Sequence, residues 1–128
     1  MEYLIDTHTL IWAATDSSRL SARAAALIAD ERNILHVSAT SAWEIATKVR
    51  ISKLPEAILL EGDFERTVQQ AGYRLLPIST EVALRAGRLL GKHKDPFDRM
   101  IAAQALALDS PVVSNDKLLD EFGVRRIW

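Results

Sequence analysis

Tyr3-Leu4-Ile5-Asp6-Thr7-His8-Thr9-Leu10-Ile11-Trp12 is the stretch from which the fold can be read. A short apolar run, Tyr3 to Ile5, stops at Asp6, and beyond it Leu10, Ile11 and Ala14 recur at helical spacing. That pattern predicts a strand turning directly into a helix, with a carboxylate at the turn. Similar units follow. Ser21 is placed to cap a helix whose stripe is Leu20, Ala24, Leu27 and Ile28. Ile34 to Val37 reads as a second strand, and after Ser38 a helix runs through Ala42, Ile45, Ala46 and Val49 on one face. Residues 52–62, with Pro55 and Gly62, read as a loop with a short helical turn, followed by a helix from Asp63 to Ala71. Arg74 to Ile78 is expected to be a strand interrupted by Pro77, and Thr80 to Leu90 a helix ended near Gly91. Asp98 to Leu108 is a strong helix, Val112-Val113 a buried strand, Lys117 to Glu121 a short helix and Val124 to Trp128 a last strand.

Strands alternating with helices imply an α/β fold, because parallel neighbours need a crossover that a helix supplies. The expected architecture is a three-layer sandwich with a central, mainly parallel sheet flanked by helices. A chain of 128 residues with 48% hydrophobic content can bury a core as one domain, residues 1–128. In such sheets ligands bind outside the carboxyl ends of the strands.

The chain has no cysteine, which excludes disulfides and thiolate metal sites and leaves oxygen or histidine nitrogen for any metal. With 16 basic and 17 acidic residues, the net charge of -1 gives no general affinity for nucleic acid. The basic stretches at Lys48 to Lys53 and Lys92 to Lys94 read as solvated surface. Met1-Glu2-Tyr3 opens without a basic leader, and no apolar stretch approaches the roughly 18 residues of a membrane span, so a cytoplasmic protein is expected.

Three aspartates stand at or near strand-to-helix turns: Asp6 and Asp116 directly after strands, and Asp98 at the start of the strongest helix. Aspartate at such a position can simply cap a helix. Asp95-Pro96-Phe97-Asp98 looks like a capping box, which accounts well for Asp95. It accounts less well for Asp98, because the spacing 98, 101, 102, 105 puts Asp98 at the top of the apolar stripe of Ile101, Ala102 and Ala105. If Asp6 and Asp116 converge on Asp98, repulsion raises their pKa values unless a cation lies among them. A hard divalent ion suits carboxylate oxygens, and water activated by it can attack a phosphodiester. On a helical wheel Glu44 lies opposite the Ala42, Ile45, Ala46, Val49 face, so periodicity places it in solvent, where an i, i+4 pair with Lys48 contributes about 0.2–0.5 kcal/mol.

Four segments together resemble the PIN-domain family, and within it the VapC-type toxins of bacterial toxin–antitoxin modules: LIDTHTLIW at 4–12, SATSAWEIATK at 38–48, HKDPFDRMIAAQA at 93–105 and VVSNDKLL at 112–119. They occur in the family's order over essentially the whole chain, and HKDPFDR with IAAQA is the most specific. The resemblance implies a parallel sheet between helices and an acidic quartet, Asp6, Glu44, Asp98 and Asp116, that binds magnesium or manganese and cleaves RNA. It thus reverses the wheel's placement of Glu44 and selects Asp98 over Asp95. It further implies a homodimer and a cognate antitoxin that covers the active site. Where the family commonly has threonine, this chain has Ser114, which keeps a hydroxyl to position Asp116 or a metal-bound water.

Among other polar residues, His8, His36 and His93 form no metal motif by spacing. His36 reads as packing, and His93 as positioning the loop before Asp95, with proton transfer as the alternative. Trp12 and Trp43 read as packing residues. Arg99 is placed to reach RNA phosphate or the quartet, or to make a surface salt bridge.

The expected function is therefore a magnesium-dependent endoribonuclease acting as the toxin of a type II module. Two other classes compete: a PIN-fold RNA-binding or interaction protein without catalysis, against which all four acids are retained, and a phosphoaccepting receiver module. The receiver needs an aspartate ending a central strand, where Ile34 to Val37 ends in Ser38. A phosphatase of the haloacid-dehalogenase type would need an aspartate at His8.

Overall fold

A computed structural model describes residues 1–128. Its sheet contains β1 (Glu2–Ile5), β2 (Ile34–Ser38), β3 (Arg74–Leu76), β4 (Val112–Val113) and β5 (Arg126–Ile127). The strand order is β3-β2-β1-β4-β5 and every neighbouring pair is parallel. Seven α-helices flank it: α1 (Thr7–Thr15), α2 (Ala22–Ala29), α3 (Ala39–Arg50), α4 (Ile58–Gly62), α5 (Phe64–Gln70), α6 (Thr80–Arg88) and α7 (Pro96–Leu108). Short 3-10 turns cover Ser17–Arg19, Pro55–Ala57 and Lys117–Phe122.

The pleat of the two central strands produces the layers. Consecutive side chains leave opposite faces, so Ile5 and Val113 join one core cluster with Leu10, Ile11, Val37, Ile45 and Val68. Leu4 and Val112 join the other, with Ile101, Ala102, Ala105, Leu119 and Phe122. β1 therefore lies between α1, α3 and α5 on one side and α7 on the other. The expected three-layer α/β sandwich is what the chain forms.

Several boundaries differ from the sequence expectation. β3 stops at Leu76, since Pro77 has no N–H to continue the ladder. β5 spans only Arg126–Ile127, and α7 begins at Pro96, two residues before Asp98. Leu20 lies ahead of α2, whose cap is Ser21, and Ala14 is exposed. The larger correction concerns α3. Its buried side is Thr40, Ser41, Glu44 and Ile45, while Ala46 is exposed. Hydrogen bonds hold part of this polar side inward, although Thr40 Oγ1 has no partner: Ser41 Oγ meets Thr7 Oγ1 at 2.9 Å, and Ser38, at the cap of α3, bonds to Gln104 of α7.

Candidate active site

The carboxyl ends of β1 and β4 each deliver a carboxylate at the cap of the next element. Asp6 follows β1 and caps α1: its Oδ1 accepts from Thr7 N at 2.8 Å and its Oδ2 from Ser114 Oγ at 2.7 Å. Asp116 caps the 3-10 turn after β4, accepting from Leu118 N at 3.0 Å, while its own N–H donates to Ser114 Oγ at 3.0 Å. Ser114 is completely buried, so one hydroxyl links the two strand ends.

The helices bring the other acids. Asp95 caps α7, accepting from Phe97 N at 2.8 Å and Asp98 N at 3.3 Å, as the capping pattern predicts. Asp98 is not spent on the cap; its Oδ2 lies 2.6 Å from His93 Nε2. Glu44 is buried at 4% exposure, so its wheel position in solvent is overturned, although the expected Lys48 ion pair does form. Its burial follows from the inward turn of the polar side of α3.

These groups converge on one polar cavity of about 420 Å³ that Asp6, Glu44, Asp95, Asp98 and Asp116 all line. Lys48, Lys117, Asn115, His8 and Trp12 complete its wall. Burial raises the pKa of Asp6, the Glu44 charge adds to it, and the bonds from Ser114 and Thr7 oppose it. Asp98 is pushed up to about 7, first by burial and then by the charges of Asp95, Asp6 and Asp116, against the hydrogen bond to His93. The His93 pKa is raised chiefly by that same bond. For Lys48, partial burial works against the charge, but the bond to Glu44 and the nearby carboxylates outweigh it, so its pKa is raised.

The donor set fits a hard divalent cation. It offers carboxylate oxygens with one imidazole, and ligand atoms of His93, Asp98 and Asp116 lie within 4.8 Å of one another. The upward displacement of Asp98 also means that the cluster resists carrying its full negative charge without a counter-ion.

Some residues take roles other than those the sequence suggests. Arg99 reaches neither the quartet nor an acidic partner: it donates to the carbonyls of Ala86 at 3.1 Å, His93 at 2.9 Å and Leu89, tying down the segment between α6 and α7. His93 therefore sits in a loop that is fixed at both its backbone and its side chain. His36 is packed, with Nε2 3.2 Å from Glu2 Oε1. Neither tryptophan is a core residue. Trp12 lines the cavity, and Trp43 is 54% exposed with its ring edge-on to Phe97. The basic residues Lys48 and Lys117 belong to the cavity wall, and only their positions beside Glu44 and Asp116 could have indicated this.

The chain matches the PIN domain family over residues 3–124 and belongs to that family. Among solved structures it is similar to VapBC2 from Rickettsia felis bound to a DNA fragment from their promoter, with 15% identity and a TM-score of 0.66 over 99% of this chain and 98% of that one. It is also similar to FitAcB from Neisseria gonorrhoeae, with 18% identity and a TM-score of 0.70 over 98% and 96% of the two chains. FitAB bound to an IR36 DNA fragment gives 20% identity and a TM-score of 0.66 over 98% and 93%. No curated protein sequence matches the chain. No helix is long and apolar enough to cross a membrane.

Proposed function

We propose that residues 1–128 form one nuclease unit, a magnesium-dependent endoribonuclease that serves as the toxin of a type II toxin–antitoxin pair. The observation that carries this reading is the convergence of Asp6, Glu44, Asp98 and Asp116, from four separate elements, on one cavity at the carboxyl edge of the sheet. Capping explains Asp6 and Asp116 singly, but it does not explain a buried Glu44 or an Asp98 held away from the cap. Within the PIN family, the four sequence segments resemble the VapC type, and two of the similar structures carry the names VapBC2 and FitAB with bound DNA. A cognate antitoxin, a homodimer and a cytoplasmic setting accompany this reading.

Asp6, Asp98, Asp116 and Glu44 would hold the ion, which would neutralise charge on a phosphoryl oxygen and lower the pKa of a water. Manganese, with the same preference for oxygen ligands, would substitute. The chain's own groups prepare the site. Ser114 fixes the carboxylate of Asp6 and the backbone of Asp116. Lys48 holds Glu44 in one orientation and keeps a cation within the cavity for substrate phosphate. His93 holds Asp98 and places a proton-carrying imidazole at the site.

The experiment is cleavage of single-stranded RNA by purified protein with magnesium, with manganese, and with excess chelator. Cleavage should require the metal, and Asp6→Asn, Glu44→Gln, Asp98→Asn and Asp116→Asn should each remove most of it while leaving a folded protein. Undiminished cleavage in chelator would sink the mechanism. Expression of the wild type alone should arrest growth and Asp98→Asn should not; equal harmlessness would remove the toxin assignment and leave the nuclease one standing.

A further inference from the structure

Trp12 is the one apolar residue in the wall of the carboxylate cavity. Its position is not explained by the core: the larger cluster takes in Trp128 at its margin but not Trp12. Trp12 instead stands in a row that leads away from Asp6. His8 lies one helical turn before it, with ring centroids 6.0 Å apart. The Arg19 guanidinium lies 4.7 Å from the Trp12 ring centroid, and Trp128 packs against the same ring at 5.9 Å. Trp12 is half-buried, so part of the indole remains accessible to a ligand.

A cavity of carboxylates and lysines has no use for an indole if its ligand is a bare phosphate. A nucleotide strand is different, because every phosphate carries a sugar and a flat base. Unpaired bases stack on aromatic side chains and on guanidinium planes, whereas bases in a duplex already have both faces covered. Trp12 offers an aromatic surface in the wall of the phosphate-cutting site, while Arg19 over the ring and Trp128 beside it limit how far the indole can swing.

We propose that Trp12, held in place by Trp128 and by Arg19 over its ring, is the stacking wall for an unpaired RNA base next to the phosphate that a cation bound by Asp6, Glu44, Asp98 and Asp116 would hold. The stacking contact itself gives little preference among bases, since every base has a π face. This rests on the nuclease reading above.

The test measures binding of a short, labelled single-stranded RNA by anisotropy, with calcium replacing magnesium and RNA integrity checked afterwards. Trp12→Leu keeps an apolar side chain against Trp128 without a π face, and Trp12→Phe restores one. The Leu variant should bind about tenfold more weakly than wild type and the Phe variant nearly as well as wild type. RNAs with a single abasic site walked along the strand identify the stacked base: at one position the wild type should lose about tenfold and the Leu variant almost nothing. Equal losses for Trp12→Leu on intact and abasic RNA, or wild-type binding indifferent to every abasic position, would overturn the stacking wall while leaving the nuclease reading intact. Unchanged RNA binding by Trp12→Leu, with loss of dimerisation or of antitoxin affinity, would make Trp12 a protein contact and also overturn it. A wild type that neither binds nor cuts RNA would remove the nuclease reading itself, and the wall with it.

Discussion

His93 and Asp98 face each other across the N-terminal cap of α7, with Nε2 and Oδ2 2.6 Å apart. The pair is also within reach of Asp116, so an imidazole and two carboxylates form one cluster, of which Asp98 and Asp116 line the cavity. Both partners hold protons more tightly than usual, Asp98 chiefly through burial and His93 chiefly through the bond to Asp98. Below its raised pKa Asp98 is neutral and the carboxylates around it are relieved of repulsion; above it the folded chain must carry the charges of Asp98, Asp95, Asp6 and Asp116 together.

This gives the metal-free protein a defined pH dependence. A carboxyl whose folded pKa is about 7, against about 3.9 when unfolded, makes the folded state bind more protons in between, so stability falls as pH rises through that window. The raised His93 pKa acts in the same direction, its contribution being lost as pH rises through the folded value. Melting temperatures in chelator should therefore fall from pH 5 to pH 8, and Asp98→Asn should flatten the curve. An equally steep curve for the variant would assign the titration to other groups.

Ser114→Ala should destabilise the protein out of proportion to the one atom removed. The hydroxyl donates to Asp6 Oδ2 at 2.7 Å and accepts from Asp116 N at 3.0 Å, and no water-accessible surface surrounds it. Removing it leaves a buried carboxylate oxygen and an N–H without that partner, a cost of about 1–3 kcal/mol. The Asp6 pKa should rise further, because the Ser114 bond is the main influence holding it down. Denaturant titration measures the loss, which should be larger at pH 8 than at pH 5.

Arg99→Lys should open the segment before α7. One ammonium cannot reproduce a planar fork that reaches three carbonyls. A loss of about 2 kcal/mol is expected, since hydrogen bonds to charged groups are each worth about 1.5–3 kcal/mol. Amide exchange should quicken between residues 89 and 95 before it quickens in β1. Cleavage should fall as well, because the His93 backbone loses its anchor.

The sheet was legible because apolar runs end abruptly at Asp6, Ser38 and Ser114, and a chain that alternates strand with helix has few ways to arrange itself. The strand-end carboxylates were legible for the same reason. The Glu44 position was not. A helical wheel assumes that the buried stripe is apolar, and α3 buries Thr40, Ser41 and Glu44 because it borders a polar cleft. Only the resemblance of the WEI segment to its family pointed there. The role of Arg99 was not legible either, because whether a side chain serves a loop, a salt bridge or a site is decided by partners distant in sequence, here the carbonyl of Ala86; Trp12 packs as expected, but against Trp128 at the far end of the chain.

The neighbouring acids Asp95 and Asp98 should separate cleanly when magnesium is added. Asp95 accepts two backbone N–H bonds at the start of α7, so Asp95→Ala should cost about 1 kcal/mol with or without the ion. Asp98 makes no such bond and crowds against Asp95, Asp6 and Asp116, so Asp98→Asn should leave the metal-free protein at pH 8 as stable as wild type or more so. An ion that binds only the folded chain adds stability as RT ln(1 + [L]/Kd), and that increment depends on the ligands that remain. Wild type and Asp95→Ala should thus gain similar increments from magnesium, while Asp98→Asn gains much less. Thermal melts of the three proteins across a magnesium series decide the matter. If Asp98→Asn gained as much as wild type and was the less stable protein in chelator, Asp98 would be a structural residue of α7, and the proposed quartet would lose the member on which its charge repulsion centres.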